Sequence, residues 1–193
     1  MPDNFQFGSE HYLYVAHDGG VPKAMNGRPG DSPAPTQTYE TFGPAGLDYW
    51  KQYGNVRDLS ESANNNTVNI TTREDARQGL SIEVITTTTA SMSFEIRYKP
   101  NASGATTPQD QIFLAILRAS RFKQEIAAVD LDRPIDQIGA QGQVGNWTVA
   151  MARSKPVEGV VVAQVDFNLS SLGDWIIADD ASGGNAFTPL AAS

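Results

Sequence analysis

Asp48-Tyr-Trp-Lys-Gln-Tyr-Gly-Asn-Val-Arg-Asp-Leu-Ser-Glu-Ser62 opens the stretch that decides the fold, and Ala63-Asn-Asn-Asn66 and Thr67-Val-Asn-Ile-Thr-Thr-Arg73 follow it. β-Branched and aromatic residues dominate both flanks, while three consecutive asparagines carry turn chemistry, so the pattern predicts a hairpin turning at 63–66. Glu74–Gly79 is a charged loop. Beyond it, Ser81–Thr88 holds Ile82, Val84 and Ile85 beside four threonines, and Ser91–Lys99 alternates cleanly. Met92, Phe94, Ile96 and Tyr98 share one face of that strand, and Ser91, Ser93, Glu95, Arg97 and Lys99 share the other. One face in the core and one in water is the signature of an antiparallel sheet. Asp48–Tyr98 therefore reads as a β-meander scaffold.

Working outward, His11–Val15 is a first strand, broken by Asp18-Gly-Gly20. Residues 18–46 carry six glycines and five prolines, which excludes a regular helix or a central strand; the expectation is a long projecting loop. Thr107–Gln124 is the convincing helix: Thr107 can cap it, Pro108 suits the first helical position, Asp110 stands three residues after the cap, and Ile112, Phe113, Ile116 and Leu117 recur at helical spacing. Strands follow at Glu125–Leu131, Asn146–Arg153 and Val160–Leu169, the last two making a second long hairpin. Pro134, Gly139, Gly142 and Gly145 mark 132–145 as a loop, Asp174–Ala178 adds a short edge strand, and the rest is a C-terminal arm, 174–193 in all. The fold class is mainly β. It is an antiparallel two-sheet sandwich or partial barrel with one flanking α-helix, in a single domain spanning 1–193.

Composition narrows function more than it names it. The 193 residues are 40% hydrophobic and 19% charged, with a net charge of −8, enough apolar content for a real core. The acidic balance disfavours sequence-specific DNA binding, which needs a basic footprint, yet suits a surface along which nucleic acid passes without adhering. There is no cysteine, so disulfides and thiolate metal sites are excluded. No apolar run approaches a membrane span, and no secretory leader is expected at the N-terminus. Five N-x-S/T sites, at Asn65, Asn69, Asn101, Asn146 and Asn168, are therefore read as chance matches.

Catalytic chemistry is hard to find. His11 and His17 are two imidazoles without thiolate partners, a weak metal site, and read as solvated side chains. Asp130 and Asp132, or Asp179 and Asp180, read as surface carboxylates, with no D-x-D-x-D-G calcium loop. No nucleophile elbow, phosphate loop or dinucleotide fingerprint occurs. The expectation is a non-enzyme with no catalytic, metal or cofactor site. Tyr49, Trp50, Tyr53 and Trp147 keep one alternative open, a carbohydrate-binding or adhesin-like β-sandwich module with an exposed aromatic platform.

Gly54-Asn-Val-Arg-Asp-Leu-Ser60 followed by Val68-Asn-Ile-Thr-Thr-Arg73 resembles the major tail tube protein of long-tailed, non-contractile (siphovirus-like) bacteriophages and gene-transfer agents. The order of later elements (Ser91–Tyr98, the helix, and a hairpin around Ser154-Lys-Pro-Val-Glu158) extends that resemblance over roughly 11–170; the 18–46 insertion and the tail after Asp174 depart from it. The resemblance implies a structural virion protein, assembled in the host cytoplasm, whose hexameric rings stack into a tail tube for DNA ejection. It implies as partners further copies of the chain, a tape measure protein, tail terminator or tail tip proteins, and DNA in transit, with no membrane and no cofactor. On that basis Asp58, Glu61, Glu95 and Asp166 are candidate lumen-facing carboxylates. Arg57, Arg73, Asp75 and Arg77 are candidate contacts between subunits.

Overall fold

A computed structural model describes residues 11–42, 49–54, 56–69, 83–98, 106–154, 160–179 and 186–189. In chain order these form β1 (Tyr12–Asp18), β2 (Val21–Pro22), α1 (Tyr39–Phe42), β3 (Trp50–Gln52), β4 (Val56–Asn69), β5 (Glu83–Tyr98), α2 (Pro108–Phe122), β6 (Ile126–Leu131), β7 (Gln141–Ser154), β8 (Val161–Asp179) and β9 (Ala186–Pro189). The architecture is mainly β and antiparallel, with a flanking helix, as the alternation and the absence of βαβ units imply. The strands form one unclosed sheet in the order β2-β1-β6-β7-β8-β5-β4, with β3 added to β1 and β9 to β8.

The meander differs from the sequence expectation in two respects. Residues 63–66 do not turn. They lie inside β4, where Ala63, Asn64, Asn65 and Asn66 pair with Ala90, Thr89, Thr88 and Thr87 of β5. β5 likewise runs unbroken through Ser91. Asparagine favours turns because its amide competes for nearby backbone; a threonine-rich strand directly alongside supplies the ladder that removes the need. Two irregularities interrupt the register, between Arg57 and Ser60 and between Asn66 and Thr67. At the first, Asp58 adopts φ +52°, the positive-φ residue of a bulge.

β7 is also longer than its alternation suggested and takes in Gly142 and Gly145. Gly142 marks close approach of backbone, whereas at Gly145 the Leu169 side chain fills the space a Cβ would take. A Cβ on Gly142 would stand 1.8 Å from the Asp130 carbonyl oxygen across the ladder.

α2 forms as its sequence dictates. The Thr107 hydroxyl accepts from the Asp110 amide (3.2 Å) and the Asp110 carboxylate accepts from the Thr107 amide (2.7 Å), a reciprocal capping box. Its Ile112, Phe113 and Ile116 are buried with Leu13, Val15, Met92, Phe94, Ile126, Trp147 and Phe167 in the main core. Each such side chain contributes about 1.5–3 kcal/mol relative to exposure.

A second core lies on the opposite face of β1, β6 and β7. Residues 18–42, expected to project, are instead docked there. The sheet contributes Tyr14, Ala127, Val129, Leu131, Val144 and Ile176; the loop contributes Met25, Tyr39 and Phe42, joined by Trp50. Lys23 inserts its backbone into the sheet, donating to Ala16 O and accepting from the Ala127 amide at 2.7 Å. Asn146 clamps the same segment: its Oδ1 accepts from Met25 N (2.8 Å) and its Nδ2 donates to Met25 O (2.9 Å). Arg28 reaches Asp174 Oδ2 at 2.7 Å. All six residues of β6 are consequently buried, on both faces.

Candidate functional site: a polar sheet face and its free edge

Register decides which side chains share a surface. Across β4, β5, β8 and β7, the rungs Ser60–Ser93–Asp166–Ala150 and Ser62–Ser91–Asn168–Thr148 lie side by side, and Glu95–Gln164–Ala152 and Arg97–Val162–Ser154 continue the same face. Paired residues point the same way, so four strands present one surface of serine, threonine, asparagine, glutamine and alanine. Met92, Phe94, Ile96, Val165 and Phe167 take the other face, in the core. Ser62 and Ser91 hydroxyls meet at 2.8 Å, and Ser93 Oγ donates to Asp166 Oδ1 at 2.6 Å. Two cations fall on these rungs: Arg97, held by Glu95 at 2.8 Å, and Arg57, opposite Glu95 in the ladder. At the end of this surface, β4 pairs with β5 alone, leaving its outer edge without a strand partner among the described residues.

The four carboxylates singled out from sequence divide. Glu95 and Asp166 lie on the polar face, and Asp58 is exposed at the bulge. Glu61 is directly opposite Met92, so the register sets it on the core-facing side of β4, where it is nonetheless exposed. The bulge between Arg57 and Ser60 inserts one residue and reverses the alternation, which no reading of β4 by itself would detect. Arg57 pairs with Glu95 in the ladder; Arg73, Asp75 and Arg77 lie outside the described residues.

The aromatic platform is not present. Trp50, Tyr53 and Trp147 are buried, with Trp50 Nε1 donating to Tyr39 O and Trp147 Nε1 to Ala128 O. Tyr49 is half-buried, edge-on to Phe42, with the Lys23 ammonium over its ring.

The histidines and Asp130 also depart from the solvated reading. His17 is buried; its Nδ1 accepts from the Gly20 amide at 3.3 Å, and Nε2 has no partner. Burial foremost, with Lys51 nearby, lowers its pKa. His11 lies 2.7 Å from the carboxylate of Asp130, which is 3% exposed. Desolvation raises Glu61 to about 7, reinforced by the charge on Asp130, and burial raises Asp130. Sequence offered no route to this cluster, whose two bonded members stand 119 positions apart. Asp132, by contrast, is exposed and accepts from the Gln141 amide. Asn146, one of the N-x-S/T sites, is buried with both amide atoms engaged, so the folded chain offers it to no modifying enzyme.

No family model matches this sequence, and no curated protein matches it. Among solved structures, the chain is similar to one from the tail of an empty gene transfer agent (GTA) particle determined by helical refinement with C6 symmetry. The TM-score is 0.48 at 13% identity, covering 66% of this chain and 86% of that one. It is also similar to a chain from the virion of a native gene transfer agent particle, with a TM-score of 0.47, 12% identity, and 65% and 88% coverage. At those values neither similarity assigns this chain a role.

Proposed function

We propose that this chain is a structural virion protein whose copies join as rings, six to a ring, and stack into a tail tube through which DNA leaves the particle. The observation that carries the reading is the four-stranded polar face ending at β4, whose outer edge has no strand partner among the described residues. An unpaired strand edge invites a neighbouring strand, and continuing the sheet from copy to copy would satisfy it. The surface extended in this way is hydroxyl- and amide-rich. Of the two cations that fall on it, Arg97 is held by Glu95, and Asp166 adds a carboxylate, so it gives DNA phosphates little to adhere to. The Gly54–Ser60 and Val68–Arg73 signature adds support independently of the geometry. Asp166 and Glu95 are then the wall carboxylates, and Glu61 is not.

The carbohydrate-binding alternative loses the rings it relied on. Trp175 is exposed beside Gln143, Ser171 and Asp174, but one ring is not a platform.

Negative-stain imaging of the purified chain tests the proposal. Rings or tubes with an open centre are expected, and a population of monomers at every concentration and salt would overturn it. The absence of cysteine permits a sharper form. A Gln164→Cys variant should react with a bulky maleimide as a free subunit and be shielded once assembled; equal reactivity in both states would place this face outside the channel.

A further inference from the structure

We propose that the two ends of β6 carry complementary docking patches, a basic aromatic one on the last turn of α2 and an acidic aliphatic one on the loop at 132–139, each receiving the other from a second copy of this chain. The contact joins two copies head to tail; that it links one ring to the next rests on the tail-tube reading.

The two most exposed large apolar side chains among the described residues are Phe122, at 70%, and Ile138, at 61%. Phe122 closes α2 just before β6, and Ile138 lies in the loop just after it. Helical spacing places Leu114, Arg118 and Phe122 on one stripe of α2. β2 covers the first part of that stripe: Arg118 Nη1 donates to Gly20 O at 2.7 Å, and a Cβ on Gly20 would stand 3.4 Å from Leu114 Cβ. The cover stops there, one turn short of Phe122. Arg121 and Lys123 flank the ring, both exposed and without an ion pair among the described residues. Residues 113–124 hold no carboxylate, in a chain of net charge −8. The helix dipole accounts for cations at this end but not for an exposed phenylalanine between them.

At the far end of β6, Leu131 pairs with Gly142 and the Asp132 amide donates to Gln141 O, so the loop closes the β6–β7 hairpin. Ile135 anchors it, packed on the second core with its amide donating to the Tyr14 hydroxyl at 3.0 Å. Ile138 is left outside, beside exposed Asp136 and Gln137. Asp132 holds Arg133 at 3.4 Å, which leaves Asp136 as the loop's carboxylate without an ion pair among the described residues.

β6 separates the patches by five steps of about 3.3 Å, so one molecule cannot join its own. Unlike patches at opposite ends make a heterologous contact, which repeats from copy to copy. It runs along the strands, whereas the β4 edge offers pairing across them, so the two contacts use different surfaces. An anionic lipid surface would match the basic patch and has no use for the acidic one; a second copy accounts for both.

The absence of cysteine makes a directional crosslink possible, because Gln124 and Gln137 are exposed beside the two patches. Copies with Gln124→Cys are mixed in equal amounts with tagged copies carrying Gln137→Cys and oxidised in dilute solution. Mixed dimers should exceed either like-with-like dimer by at least about tenfold, where unbiased encounter gives about twofold. Arg121→Glu in the first set should return the ratio to the unbiased value, and Asp136→Lys in the second should restore the excess. All four substituted side chains are exposed, so folding is not at stake. A ratio near twofold from the start, or one that Arg121→Glu leaves unchanged, would overturn the proposal. So would an unbiased ratio with Arg121-dependent pelleting on anionic phospholipid vesicles, which would give the basic patch to a membrane surface. Mixed dimers without rings in the electron microscope would leave the contact standing and remove the tube.

Discussion

Asn146→Ala tests whether the glycine- and proline-rich segment is held by a specific clamp. Asn146 is almost wholly buried. Truncation removes the acceptor of Met25 N–H and the donor to Met25 C=O, along with a 3.2 Å bond from Nδ2 to Ser171 Oγ. The two stranded backbone groups cost about 1–3 kcal/mol each, so the expected loss is about 2–6 kcal/mol, a large share of the 5–15 kcal/mol typical of a domain. With a urea slope of about 2 kcal/mol/M, the midpoint should fall by roughly 1–3 M. Trypsin gives an independent reading, because Lys23 is protected only while its backbone stays bonded to Ala16 and Ala127; the variant should be cut there faster, in proportion to its lost global stability. Asn146→Asp should do no better, since it keeps the acceptor but sets an oxygen against Met25 O. A midpoint unchanged to within about 0.5 kcal/mol, with Lys23 still protected, would refute the reasoning and move the holding energy to Phe42, Tyr39 and Trp50.

Two further outcomes follow from local geometry. Gly142→Ala forces a methyl against the Asp130 backbone, which only separation of β6 from β7 relieves; a cost of about 2–3 kcal/mol should lower Tm by roughly 5–10 °C in a chain of this size, read by calorimetry. Asp110 is held below its ordinary value of 3.8, chiefly by the Thr107 amide. Its stabilisation is therefore present above 3.8 and lost as pH falls through the depressed folded value. Asp110→Asn should cost about 1 kcal/mol at neutral pH, and urea titrations should show that difference vanishing in strong acid.

The elements that the sequence revealed are those whose determinants are local. Thr107, Pro108 and Asp110 specify the start of α2 within four residues, and Ser91–Tyr98 reveals its two faces by alternation alone. What stayed hidden depends on partners distant in sequence. The asparagines at 64–66 carry turn chemistry until threonines 87–89 lie beside them. Gly142 and Gly145 read as breakers until it is clear that the Asp130 backbone and the Leu169 side chain need the space. The proposed wall carboxylates scattered over both faces because the extra residue at the Asp58 bulge reversed the parity of β4. Asp130 passed for a surface carboxylate, since nothing near it in sequence announces His11 or Glu61.

β6 is a party wall. Ile126 and Ala128 toward α2 are backed, residue by residue, by Ala127, Val129 and Leu131 toward the docked loop, and the strand's one polar side chain, Asp130, is itself buried. Such a strand gains little from one neighbour without the other. Neither core can then melt alone: opening the loop side strips half the wall that α2 rests on. Unfolding followed at Trp147 in the main core and at Trp50 in the second should trace the same curve. Damage to the glycine- and proline-rich segment would be felt at the helix on the far side of the sheet.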